Sequence, residues 1–238
     1  MKKIYCFGDS WTWGSELWDY SIDTVENAIK KYGDDFTVVC EKNHQYVMKH
    51  NWPFVLTQLG DYEVSNFGVP GSSNRQILEM LYYKLQTEEK PDIIIMAWST
   101  QYRWSERKEN HTHYSRPNDK FYPVLRADSD LYCEDNFYNE VCTAHWISNG
   151  IPIFNINAFY KNKTNNDFDD RIIFADKTML KIASEGNIEE VGDTDWHYFA
   201  GTQHHIQSYN LKKSGHPDEV GHKLIAKYIH EQITDIWG

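Results

Sequence analysis

Four short apolar runs, Ile4–Phe7, Tyr62–Asn66, Ile93–Ala97 and Ile151–Ile156, recur along the chain at intervals too long for hairpins. Runs of this length read as strands buried in a parallel sheet. The segments between them carry a helical period. "NWPFVLTQL" precedes the second run and "NRQILEMLYYKLQ" follows it, while "NFYNEVCTAHWISNG" leads into the fourth and stops at Gly150, a common residue just past a helix end. From Pro217 to Trp237, Val220, Leu224, Ile225, Tyr228, Ile229 and Ile233 fall on one helical face. Strands alternating with helices predict an α/β fold with a doubly wound parallel sheet.

Three polar stretches, near residues 15–50, 104–132 and 160–212, stand outside this alternation and are rich in Asn, Asp, Lys and His. Two of them directly follow strand ends. Insertions there overhang the carboxyl edge of an open sheet, where ligands bind. The reading is a single domain over residues 1–238 with three substrate-shaping loop insertions, of a length that buries a substantial core.

Charge narrows the partners. Against 24 Lys plus Arg stand 35 Asp plus Glu, a formal net charge of −11. This balance disfavours nucleic acid and anionic membranes and favours a small neutral or cationic partner. No stretch approaches the ~20 apolar residues of a membrane span. Met1-Lys2-Lys3 leads directly into a strand rather than a signal peptide, and Cys6, Cys40, Cys133 and Cys142 lack paired spacing. A cytoplasmic protein with reduced thiols is expected. His197, His204, His205, His216 and His222 are close in sequence but have no Cys or regular carboxylate spacing beside them, so no metal is expected.

Four turns carry polar residues toward one edge. In "IYCFGDSWTWG", a strand breaks at Gly8 and Asp9 and presents Ser10 as a nucleophile or ligand contact. The same residues fit an Asx turn in which Ser10 or Thr12 caps a helix. In "NFGVPGSSNRQI", Gly68, Pro70 and Gly71 impose an irregular backbone, Ser72, Ser73 or Asn74 suits a helix cap, and an amide near Gly71 points at the sheet edge. "PDIIIMAWSTQYRW" places Ser99, Thr100 and Gln101 at the same edge, followed by Arg103 and Arg107. "KKSGHPDEVGHKLIAKYI" sets His216 at a helix entry, with Asp218 as the expected cap.

Taken in order, these blocks resemble those of the GDSL/SGNH hydrolase family. The resemblance implies a flavodoxin-like three-layer α/β/α sandwich and an ester hydrolase that needs no cofactor. It makes Ser10 the nucleophile, His216 the general base, and the amides of Ser10 and Gly71 with the Gln101 side chain the oxyanion donors. Two departures stand out. Gln101 occupies the place of the family's Asn, with the same carboxamide on a longer stem, and Ser99 or Thr100 are its alternatives. Lys213 occupies the place of the family's Asp, three residues before His216. Asp195, or its neighbour Asp193, is the expected replacement, with a backbone carbonyl as the other route to orienting the imidazole.

For substrate, Trp11, Trp98 and Arg103 are the expected contacts. Tryptophans in and beside the polar insertions, Trp13, Trp18, Trp104 and Trp196 among them, suggest aromatic platforms for a short acyl ester, such as acetyl, on a carbohydrate. Two other classes remain open: a glycan-binding module on the same fold with its chemistry lost, and a flavodoxin-like nucleotide or flavin binder.

Overall fold

The computed structural model describes residues 1–15, 17, 36–99, 104–108, 111–115, 122–158, 167–186, 210–211 and 216–237. In chain order the elements are β1 (Lys2–Gly8), α1 (Ser10–Trp13), α2 (Phe36–His50), α3 (Trp52–Thr57), β2 (Tyr62–Gly68), α4 (Asn74–Thr87) and β3 (Ile93–Trp98). There follow β4 (Trp104–Lys108), β5 (His111–Ser115), α5 (Tyr122–Ile147), β6 (Ile153–Asn157), β7 (Ile173–Phe174), α6 (Met179–Ala183) and α7 (Glu219–Trp237).

Five strands form one sheet in the order β2-β1-β3-β6-β7, every pair parallel. Counted along the sheet's own strands this is the order 2-1-3-4-5, the flavodoxin-like winding, whose ligand crevice lies at the carboxyl ends where β1 meets β3. Alternation along the strands explains the layers, because successive side chains point to opposite faces. Ile4, Cys6, Ile93, Ile95, Ala97, Phe154 and Ile156 pack on one face with Trp52, Val55 and Leu56 of α3 and Ile225, Ala226, Ile229 and Ile233 of α7. Tyr5, Phe7, Ile94, Met96, Trp98 and Ile153 pack on the other with Ile77 and Leu81 of α4 and Phe137, Val141 and Ala144 of α5. Each such fully buried aliphatic side chain contributes about 1.5–3 kcal/mol. The three-layer α/β/α sandwich follows from these two cores.

The expected strands are present, each shifted or extended by no more than two residues. Several further elements fall inside the stretches read as polar loops. Helix α2 lies in the first, the antiparallel pair β4 and β5 in the second, and the fifth strand β7 in the third. Two residues of strand are too few to show a period. Helix α5 begins at Tyr122 rather than near Asn136, with Pro123 in its first turn, where a missing N–H is tolerated. Among the described residues, no helix is long and apolar enough to cross a membrane.

Candidate active site

Ser10 is the first residue of the short helix α1, just beyond the carboxyl end of the inner strand β1. The turn is held by Asp9, whose buried carboxylate accepts from the Trp11 amide at 3.0 Å and from the Ser99 hydroxyl at 2.8 Å. Asp9 is thus the helix cap, not Ser10 or Thr12. The Asp9 carbonyl accepts the Thr12 and Trp13 amides. Among the described residues, the Ser10 amide donates to nothing, as expected for the first N–H of a helix.

Close backbone packing seats α1 on β2. A Cβ on Gly68 would lie 2.6 Å from the Trp13 nitrogen and 2.9 Å from the Thr12 carbonyl carbon, so only glycine fits. Asn66 locks the contact: its Nδ2 donates to the Thr12 carbonyl at 2.9 Å and its Oδ1 accepts from the Gly68 amide at 2.8 Å. Beyond β2, the Val69 amide donates to the Gly8 carbonyl at 3.0 Å, which joins this loop to the Ser10 turn. Gly71 then takes φ 79°, in the left-handed region that suits glycine. Its amide, too, donates to nothing among the described residues. Ser73, rather than Ser72 or Asn74, caps α4, in a reciprocal capping box with Gln76.

His216 comes from the other end of the chain. Leu211 and Pro217 form an antiparallel bridge, the Asp218 amide donates to the Asn210 carbonyl at 2.9 Å, and the Asp218 carboxylate caps α7 by accepting from Val220 and Gly221, both at 2.9 Å. The expected cap at Asp218 is present. From this entry the imidazole Nε2 reaches the Ser10 Oγ at 2.9 Å, across a sequence separation of 206. Deeper in, the buried His222 of α7 accepts the Trp52 amide on Nδ1 at 3.2 Å and ties α7 to α3.

The arrangement therefore joins a hydroxyl, an imidazole in hydrogen-bonding contact with it, and two adjoining turns with uncommitted amides. Of the residues expected from sequence, Ser10, Gly71 and His216 gather at this edge. Ser99 is there as well, but its hydroxyl grips Asp9. Gln101, Thr100, Arg103, Asp193, Asp195 and Lys213 lie outside the described residues, as do Trp18 and Trp196, and the side chains of Trp104 and Arg107 are likewise outside them.

Trp11 and Trp98 correct the sequence reading. Both are 0% exposed, Trp11 in the core beneath α3 and α7 and Trp98 in the core beneath α5. Trp98 is the last residue of a strand buried on both faces, and its indole N–H donates to Asn155 Oδ1 at 2.9 Å. Asn155 in turn meets His145 Nε2 at 3.1 Å, an imidazole that burial holds below its ordinary pKa. These tryptophans build the walls under the site and offer no stacking face. Sequence reasoning missed the polar braces, Asp9 with Ser99 and Asn66. The Asx turn at Asp9 is legible in the sequence, whereas the Asp9–Ser99 clasp and the Asn66 contact with Thr12 join distant segments.

No family model matches the chain. The trimethylamine monooxygenase of Roseovarius sp. (strain 217) is 25% identical over 205 residues, covering 83% of this chain and 42% of that protein. The chain thus spans less than half the length of the curated relative it matches. Among solved structures, it is similar to a member of the lipolytic protein G-D-S-L family from Veillonella parvula at TM-score 0.44 and 16% identity, covering 98% of both chains. It is also similar to the psychrotrophic esterase EstA from Pseudoalteromonas sp., at TM-score 0.46 and 13% identity over 99% of this chain and 98% of that one. An acetylxylan esterase from Geobacillus stearothermophilus, in a catalytic-mutant form, aligns at TM-score 0.41 and 13% identity over 98% and 94%. The structural neighbours named here are lipolytic G-D-S-L proteins and esterases.

Proposed function

We propose that this chain is a serine ester hydrolase of the GDSL/SGNH type. The observation that carries the reading is the 2.9 Å contact between Ser10 Oγ and His216 Nε2, with the Ser10 and Gly71 amides donating to nothing among the described residues. His216 Nε2 takes the hydroxyl proton as Ser10 Oγ adds to the ester carbonyl. The negative charge that develops on the carbonyl oxygen is received by the N–H groups of Ser10 and Gly71, each such donor being worth about 2.7–4 kcal/mol in a hydrolase. Collapse of the tetrahedral adduct breaks the ester C–O bond, and His216 returns the proton to the departing alkoxide. Water then repeats the sequence on the acyl-enzyme, releasing the acid and restoring Ser10.

In this reading Gln101 is the third oxyanion donor and Asp195, or Asp193, orients His216. The substrate is a short acyl ester, acetyl in the simplest case, on a neutral hydroxylated carrier such as a carbohydrate, in keeping with the acidic net charge of −11. Treatment with a fluorophosphonate probe, followed by peptide mapping, tests the core of the reading: a covalent adduct on Ser10 is expected, and an unlabelled Ser10 would overturn it. Acetyl, butyryl and octanoyl p-nitrophenyl esters test the acyl preference, with rates expected to fall as the chain lengthens.

A nucleotide-binding reading draws on the flavodoxin-like winding of the sheet. Two observations favour the hydrolase over it. The first βα turn, "GDSWTWG", lacks the G-x-G-x-x-G spacing of a dinucleotide cradle, and its serine is already engaged by an imidazole. The fluorophosphonate experiment separates the two, because a nucleotide binder takes no label.

A further inference from the structure

Asn74 is 2% exposed, and among the described residues neither its Nδ2 nor its Oδ1 has a hydrogen-bond partner. A buried carboxamide left wholly unsatisfied is rare in a folded protein, because it forfeits its bonds to water without replacing them. The usual explanation for such a residue is absent here. It does not cap α4, since Ser73 and Gln76 close that end reciprocally. Nor does it extend the core by its chemistry: it heads the buried stripe of α4 that continues through Ile77 and Leu81, where an apolar side chain would pack without loss.

Position gives the residue a use. Asn74 follows Gly71 by three residues and opens α4 at the carboxyl edge of the sheet, on the loop that the Val69 amide joins to the Ser10 turn. Three residues of chain span at most about 11 Å, which keeps the Asn74 backbone near the same edge. Its burial is no bar to ligand contact there, for Ser10 itself is only 7% exposed.

Resting on the esterase reading, we infer that Asn74 is a specificity-determining contact that recognises a hydroxyl of the substrate's alcohol portion. A carboxamide with both its donor and its acceptor vacant matches a partner that donates and accepts at once, and a hydroxyl does both. A charged group does not, since an anion uses only the Nδ2 side and a cation only the Oδ1 side. The residue thus selects neutral hydroxylated carriers over esters of apolar alcohols. A site built around such a bond rejects the analogue that lacks the hydroxyl, because the buried polar group stays unpaired.

The test compares wild type with Asn74→Leu, which keeps the branched skeleton with methyls in place of the amide, and with Asn74→Ala. Both are assayed on p-nitrophenyl acetate, whose leaving group has no alcohol hydroxyl, and on a mono-O-acetylated methyl glycoside. In Asn74→Leu, kcat/KM on the glycoside is expected to fall roughly 10–100-fold, while p-nitrophenyl acetate changes by less than about threefold. Equal losses on both substrates, or no loss on either, would each overturn the assignment. Wild type that hydrolyses p-nitrophenyl acetate but not the glycoside would also overturn it, whereas wild type inert toward both esters and toward fluorophosphonate would instead defeat the esterase reading.

Discussion

The Ser99 hydroxyl donates to the Asp9 carboxylate at 2.8 Å, a buried bond that clamps the end of β3 to the turn carrying Ser10. Asp9 in turn holds the Trp11 amide, so the attitude of α1, and with it the Ser10 hydroxyl, depends on a residue 90 positions away. A hydrogen bond to a charged group is worth about 1.5–3 kcal/mol. Ser99→Ala should lower kcat on p-nitrophenyl acetate by about tenfold with KM little changed, and Ser99→Thr, which keeps a hydroxyl, should recover most of the loss. A rise in KM with kcat intact would contradict this positioning role.

Ser10→Ala and His216→Ala should each reduce kcat by at least about 10⁴, and the double variant should be no worse than either, because hydroxyl and imidazole act as one unit. Both should melt within a few degrees of wild type, since neither side chain belongs to the apolar cores. Steady-state kinetics and calorimetry on the three variants check both statements.

Gly68→Ala should impair the site without touching its chemistry. The added Cβ would meet backbone atoms of Trp13 and Thr12 at 2.6 and 2.9 Å, and backbone cannot rotate away as a side chain can. Overpacking of this kind costs about 1–3 kcal/mol. Reduced melting temperature and slower fluorophosphonate labelling should appear together, and normal labelling in a destabilised variant would show that α1 does not depend on this contact.

Glu140 on α5 gives the fold a pH dependence of its own. Burial raises its pKa to about 7, and nearby Arg75 only partly offsets the shift. An acid whose pKa is raised on folding stabilises most while protonated, so its contribution is full below the ordinary carboxylate pKa and is lost as pH rises through about 7. Allowing for partial solvent access, the loss is on the order of 1 kcal/mol. Glu140→Gln should therefore melt higher than wild type at pH 8 and close to it at pH 5. A variant that loses stability equally at both values would refute the assignment.

Much of this architecture can be read from the chain itself, for identifiable reasons. Strands β1, β2, β3 and β6 show as apolar runs because both faces of an inner strand are covered, and α4 and α7 show as periodic stripes because one face of each meets the sheet. Ser10, Gly71 and His216 were legible from turn chemistry: each stands where a regular element breaks off. β7 was not, since two residues carry no pattern, and neither was α2, whose apolar residues are diluted by polar ones. Trp11 and Trp98 were misread because their polar neighbours in sequence suggested water, whereas strand and helix geometry turns them inward. The clasp between Ser99 and Asp9 is a contact between distant segments, and no local signal announces it.

The 206-residue gap between Ser10 and His216 also sets a schedule. During translation the imidazole leaves the ribosome 206 residues after the hydroxyl, with the segment that starts α7. The contact between them consequently waits until α7 docks on the core around Ile225 and Ile229, a closure between segments far apart in sequence. On the esterase proposal, turnover reports that this docking is complete, and a kinetic assay begun during refolding would date the docking of α7 rather than the assembly of the sheet.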